Sequence, residues 1–273
     1  MPETGSSPSS GGSPGALDRA MALAVVCQAL AGGLTRPARP DRGSLRGLRS
    51  ALGRHALEQA AAVLDQGEPG ALRQAVARLT ARRPPSLARL QSSFDRLFGH
   101  ALRGQVCAYG SEHGAGAPHQ QAHELADLSG FYLAFGLRPA AGRGERLDHV
   151  ALELEFLRFL ALKEAYAREV GDVEMLEVTH QAQRDFLRRH LGCFGCAFAV
   201  SLQKADPEGF YGWLGSALEA LLRLEAAHLN VPVGPDRLEL RSADPDDTPM
   251  ACGSGDDLVE IGGATRRAVS DAG

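Results

Sequence analysis

Two carboxylates and an imidazole fall within the five residues Glu145-Arg146-Leu147-Asp148-His149. Such groups can move protons, hold a cation or anchor a peptide. His149 and Glu153 stand four apart, share a helix face and could ligate a metal. A carboxylate-bridged pair of metals would need Glu-x-x-His motifs on separate helices. The chain does not supply them, because Glu124 adjoins His123 instead of lying three residues away. Cys193-Phe194-Gly195-Cys196 could be half of a zinc site or a redox pair. It has no second C-x-x-C, and His190 is the histidine near it. There is no P-loop, no G-x-G-x-x-G after a strand, no G-x-S-x-G and no H-E-x-x-H.

These residues need elements to position them. Leu125, Leu128, Phe131/Tyr132 and Phe135 follow one face of a helix over residues 120–135, stopped by Gly136 and Pro139. Among Tyr109, Phe131, Tyr132 and Phe135, core packing is expected for at least two. Tyr109 and Tyr132 are the better surface candidates, since a buried hydroxyl must find a partner. The helix from Asp148 to about Val170 is apolar on more than one face. Val150, Leu154, Leu157 and Ala161 form one stripe, and Leu152, Phe156 and Leu160 another. A helix apolar nearly all round belongs at the centre of a bundle. From the bare residues, Asp148 caps that helix and His149 lies in its first turn, where the positive helix end favours neutral imidazole. Glu164 and Arg168 read as an i,i+4 surface pair.

Further helices are expected over 16–32, 44–66, 70–81, 87–101 (capped by Ser86), 172–191, 193–203 and 208–229. Gln105 to Tyr109 reads as an extended connector, because no partner strands are evident. The expected architecture is all-α: a single-domain helical bundle with loose ends. Residues 1–14 form a Ser/Gly/Pro-rich disordered segment, 15–232 the helical domain, and 233–273 an acidic, Gly-rich irregular tail in which 257–261 could be extended.

Composition narrows the function classes. The chain has 273 residues and a net charge of −4, which argues against nucleic-acid or anionic-membrane partners. The cations are nearly all Arg, so the three Arg-Arg pairs are what chance gives and signal no export. Residues 21–34 are apolar but follow a long polar stretch and contain Gln28, so a first amphipathic helix is expected instead of a signal peptide or membrane span. Five cysteines without a secretion signal are expected to be reduced thiols in a cytoplasmic protein.

The order Tyr109-Gly110-Ser111, Leu125-Ala126-Asp127-Leu128-Ser129-Gly130-Phe131-Tyr132, Phe135-Gly136-Leu137, Glu145-x-x-Asp148-His149 and the apolar run from Val150 resembles the TorD/DmsD/NarJ-like chaperones that mature molybdenum oxidoreductases. Phe186-Leu187-Arg188-Arg189-His190-Leu191 is similar to that family's Phe-Leu-x-x-His-Leu stretch, with Phe194 and Cys196 where Trp and Pro often follow. On this resemblance Phe194 and Cys196 are substituted packing positions, a reading preferred to a metal site. Leu147 stands where the family usually has Pro, so the ring that would fix φ is missing.

The resemblance implies a cytoplasmic, non-catalytic chaperone without a cofactor or metal of its own. Its partner would be the apo catalytic subunit of a DMSO-reductase-family molybdoenzyme, and/or that enzyme's twin-arginine leader, with the chaperone a monomer or helix-swapped dimer. It implies a client-binding set of Glu145, Asp148, His149, Tyr109, Tyr132 and Phe135, in which rings bury the leader's apolar part and a carboxylate pairs with its arginines. Two other readings stay open at this point. One is a metal- or redox-active helical protein using Cys193/Cys196 or His149/Glu153, and the other is a helical adaptor for an unrelated partner.

Overall fold

The two longest helices among the described residues, of 21 residues each, pack against each other in the core. The computed structural model describes residues 14–38, 45–66, 70–99, 104–114, 118–138 and 145–241. The expected N-terminal disorder and the acidic stretch beyond Arg241 lie outside these residues, apart from Pro14. Helix α1 (Pro14–Leu34) packs against α7 (Val150–Val170) and against α3 (Ala51–Leu64). Leu23, Val26, Cys27, Leu30 and Leu34 form its buried stripe, widened by Ala22, Ala24 and Ala31, while Met21 and Gln28 stay exposed. By length and composition alone α1 could cross a membrane. It is the one such helix among the described residues, and 61% of its apolar window is buried in the protein interior.

Further helices complete the bundle. They are α2 (Arg46–Arg49), α4 (Ala71–Thr80), α5 (Leu87–Phe98), α6 (Pro118–Ala134), α8 (Val173–Arg189), α9 (Leu191–Ala205) and α10 (Phe210–Leu229). No strand occurs among the described residues; the extended stretches form only isolated bridges. The expected all-α bundle is therefore found. The single helix expected over 44–66 is divided at Ser50, whose hydroxyl accepts from the Gly53 amide and caps α3. Ser86 caps α5 as expected.

α7 is buried along the Val150 stripe and at Phe156 and Leu160 of the other, where Leu152 is only half-buried, and its C-terminal turn opens to solvent at Tyr166 and Val170. Gly171 ends it at φ +72, a left-handed conformation that a β-carbon would strain, and Asp172 then caps α8. Cross-links tie the layers. Tyr211 of α10, fully buried, donates to the Leu90 carbonyl of α5 at 3.3 Å. Arg19 of α1 pairs with the buried Glu225 of α10 at 2.7 Å.

Glu164 and Arg168 do form an i,i+4 pair, at 2.8 Å, but not on the surface. Glu164 is buried and also accepts from Gln183 of α8 at 3.0 Å, with His180 at 3.2 Å. The helical period places Glu164 on the α8-facing side, which the bare i,i+4 spacing could not reveal.

Candidate functional site

The acid-rich loop before α7 is clamped against an extended stretch and a 3-10 turn at Gly110–Glu112. Tyr109 and His149 form an antiparallel bridge, flanked by the Gly110 amide donating to the Asp148 carbonyl and the Val150 amide donating to Ala108, both at 2.9 Å. On its other side the turn meets the chain beyond α10. The Gly114 amide donates to Glu239 and the Arg241 amide to Glu112, each at 2.8 Å.

Asp148 is not the cap of α7. The cap is His149, whose Nδ1 accepts from the Ala151 amide at 3.1 Å. With Nδ1 accepting, the ring proton sits on Nε2. Burial keeps the imidazole neutral against the nearby charges of Glu145 and Asp148. The Asp148 carboxylate turns the other way, into the protein. Its Oδ2 accepts from the Ser111 amide (3.0 Å), the Ser111 hydroxyl (2.8 Å) and Arg146 Nη2 (2.8 Å), while Oδ1 accepts from Arg146 Nε at 3.0 Å. Arg146 also donates to Glu112 at 2.6 Å and stacks over the Tyr109 ring at 4.8 Å. The reach of Arg146, which ties Asp148, Glu112 and Ser111 into one network, was not anticipated from the sequence. The available signal was the pairing a buried acid demands, with an arginine two residues before it.

Glu145 is exposed. Its Oε1 accepts from the Tyr109 hydroxyl at 2.8 Å, and burial together with Glu145 keeps that phenol protonated. Tyr109 is half-buried, as a surface candidate should be. Tyr132 is buried instead, and its hydroxyl donates to the Leu147 carbonyl at 3.1 Å. Leu147, in the family's proline position, thus anchors the loop through its backbone.

Between α6, α7 and this loop runs an apolar groove of about 370 Å³. Tyr132, Leu137, Leu147, Leu152, Phe156 and Phe159 form its walls, and Glu145, Glu155, Arg138 and Arg158 stand at its edges. Phe135 packs edge-on to Phe156 and Phe159 at 5.7 and 6.0 Å and faces a neighbouring hollow with Lys163 and Met175. The site residues read from the sequence therefore separate. Tyr132 and Glu145 meet at the groove, and Tyr109 reaches it through Glu145. Phe135 supports it from behind, while Asp148 and His149 hold the loop.

Cys193 and Cys196 have different surroundings. Cys193 is exposed and donates to the Arg188 carbonyl at 3.0 Å, whereas Cys196 is buried. Burial raises both thiols, Cys196 to about 11, which works against thiolate chemistry at neutral pH. Among the described residues no three His, Cys, Asp or Glu side chains gather as a metal-holding group.

The family described as "Nitrate reductase delta subunit" matches residues 55–199, more than half of the chain. The chain belongs to this family. This is the TorD/NarJ-like family that the order of the motifs suggested. The chain is similar to the perchlorate reductase assembly chaperone protein of Dechloromonas aromatica, 44% identical over 69 residues, covering 24% of this chain and 29% of that protein. It is also similar to the chaperone protein TorD of Vibrio cholerae, 32% identical over 143 residues, covering 50% and 60%. A third relative is the selenate reductase assembly chaperone protein of Thauera selenatis, 35% identical over 105 residues, covering 38% and 52%. The chain thus spans between 29% and 60% of the length of these curated relatives. The family match contains the groove and the network beneath it.

Proposed function

We propose that this chaperone binds the unfinished catalytic subunit of a DMSO-reductase-family molybdoenzyme in the cytoplasm, as a monomer or helix-swapped dimer, and assists molybdenum cofactor insertion before export. The groove between α6, α7 and the Glu145 loop carries this reading. Its apolar walls suit a short hydrophobic stretch of the client, and Glu145 and Glu155 at the edges suit arginines beside that stretch, as in a twin-arginine leader. The protein works by binding and not by catalysis. Preferring the apo-subunit over the finished enzyme is enough to give release on completion. The names of the relatives, which concern perchlorate and selenate reductases, support a reductase as client.

Within the proposed site, Glu145, Glu155 and the groove side chains touch the client, with Tyr109 orienting Glu145. Asp148 and His149 act through the loop conformation they hold. The test is tagged full-length protein produced in its own host. It should retrieve a large molybdoenzyme subunit lacking cofactor, and the Glu145→Ala/Glu155→Ala variant should retrieve much less. Recovery of that subunit in equal amounts by the variant would remove the groove assignment, and its absence from both would remove the client assignment.

A further inference from the structure

On the far side of Asp148 from the groove lies a separate cavity of about 170 Å³ between the 3-10 turn and the start of α9. Three buried atoms of residues on its walls make no hydrogen bond: His113 Nδ1, Glu153 Oε2 and His190 Nε2. His190 Nε2 lies 3.1 Å from the Asp127 carboxylate, which leaves His113 Nδ1 and Glu153 Oε2, on residues 9% and 2% exposed, without any polar partner. His113 Nε2 lies 3.0 Å from the Cys107 carbonyl, which can only accept, so Nε2 carries the proton and Nδ1 is a bare acceptor. The His113 ring stacks on Phe194 at 5.4 Å. Gly110 closes the same wall, where a β-carbon would come within 2.8 Å of Phe194 and 3.3 Å of Glu153 Oε1. The glycine lets the backbone approach both walls closely.

The charge inventory selects the ligand. Asp148, on this wall, is already held by Arg146 and Ser111. Glu124 pairs with Arg241, and Arg189 with Asp127. Burial and Asp148 push the Glu153 carboxyl up into its protonated range, and burial keeps His113 and His190 neutral, with Asp127 facing His190. Neither an anion nor a cation finds an uncompensated partner here. What remains is one acceptor and one carboxylic acid, which is the complement of a group that both donates and accepts.

We propose that this cavity is a binding site for a neutral primary carboxamide, such as an Asn or Gln side chain carries, held between His113 Nδ1 and the Glu153 carboxyl. The amide NH₂ donates to His113, and the amide oxygen accepts from Glu153. The volume exceeds that of one water, whose share of liquid is about 30 Å³, and leaves room for such a group.

The test uses the full chain, ¹⁵N-labelled, with imidazole nitrogens followed by NMR during titration with acetamide. A ligand this small binds on the order of millimolar at best. The expected result is a saturable shift of the His113 Nδ1 resonance. It should be lost in Glu153→Leu and in Cys193→Phe, which fills the cavity from its exposed lip and is not buried enough to prevent folding. N,N-dimethylacetamide, which cannot donate, and acetate should give no saturable shift. A response to acetamide that stays linear would mean that the cavity holds water alone and would overturn the proposal. A saturable response equal in N,N-dimethylacetamide or retained in Cys193→Phe would do the same.

Discussion

Arg146 grips Asp148 with both prongs of its guanidinium, Nε to Oδ1 at 3.0 Å and Nη2 to Oδ2 at 2.8 Å, although only Leu147 separates them in the chain. The contact folds the loop back on itself. Asp148 is thereby spent on internal structure and is withdrawn from any ligand. Removing Arg146 would leave Asp148 as a buried charge without its counter-ion. Arg146→Ala is expected to lower stability by about 3 kcal/mol. Arg146→Lys should recover only part of the loss, because an ammonium cannot make both contacts. Urea unfolding of the two variants checks both statements. Full recovery by Arg146→Lys would argue that charge alone, not the two-pronged contact, is what Arg146 supplies.

Glu145 offers the opposite case. It is exposed, and its recorded partner is the Tyr109 hydroxyl. Glu145→Ala should leave stability within about 0.5 kcal/mol of the parent. Combined with Glu155→Ala, it should weaken binding of an arginine-bearing leader peptide roughly tenfold, from two partly exposed ion pairs of about 0.7 kcal/mol each. Isothermal titration of a synthetic leader into the two proteins measures this difference. Equal affinities would move client contact away from the groove edge.

Two buried glutamates set opposite pH trends. Burial, with Asp148 nearby, raises Glu153 in the folded state. It therefore costs stability as pH rises above the unfolded value near 4.3, by about 1.4 kcal/mol per pH unit until the folded pKa is reached. Glu153→Gln should match the parent at acid pH and exceed it increasingly toward neutrality. Burial also acts to raise Glu164, but hydrogen bonds from His180, Gln183 and Arg168 outweigh it and hold the carboxyl at about 2. Its contribution is present above the unfolded value and is lost as pH falls through about 2. Glu164→Gln should be less stable than the parent near neutrality and equal to it at the acid extreme. Thermal unfolding across the pH range separates the two residues; parallel curves for either variant would refute that assignment.

The cysteines make a simpler prediction. Burial raises the Cys193 thiol even though its residue is exposed, and Cys27 and Cys196 are enclosed. Iodoacetamide near neutral pH should modify Cys193 slowly and leave Cys27 and Cys196 intact until the protein unfolds. Mass spectrometry of the digested protein reads the order. Fast modification of Cys193 would indicate an activated thiolate and revive the redox reading.

Much of the fold was legible from periodicity. The apolar stripes on Val150–Val170 required a central helix, and Ser86 marked the start of α5, because both signals are local and repeat along one helix. The cap of α7 was not legible. Asp is the better capping residue in general, yet here a partner from a turn nearly forty residues earlier, Ser111, takes its carboxylate, and His149 caps in its place. Burial of Tyr132 and Glu164 likewise depended on which neighbour each face met.

The sequence by itself determined the helical class, the order of the elements, the family and the loop where function was to be sought. These follow from short-range spacing and residue type. Only the tertiary structure decided which members of that loop face outward. Burying one carboxylate required the neighbouring cation Arg146 and two donors from the distant Ser111, and that demand turned Asp148 inward and left Glu145 at the edge of the groove.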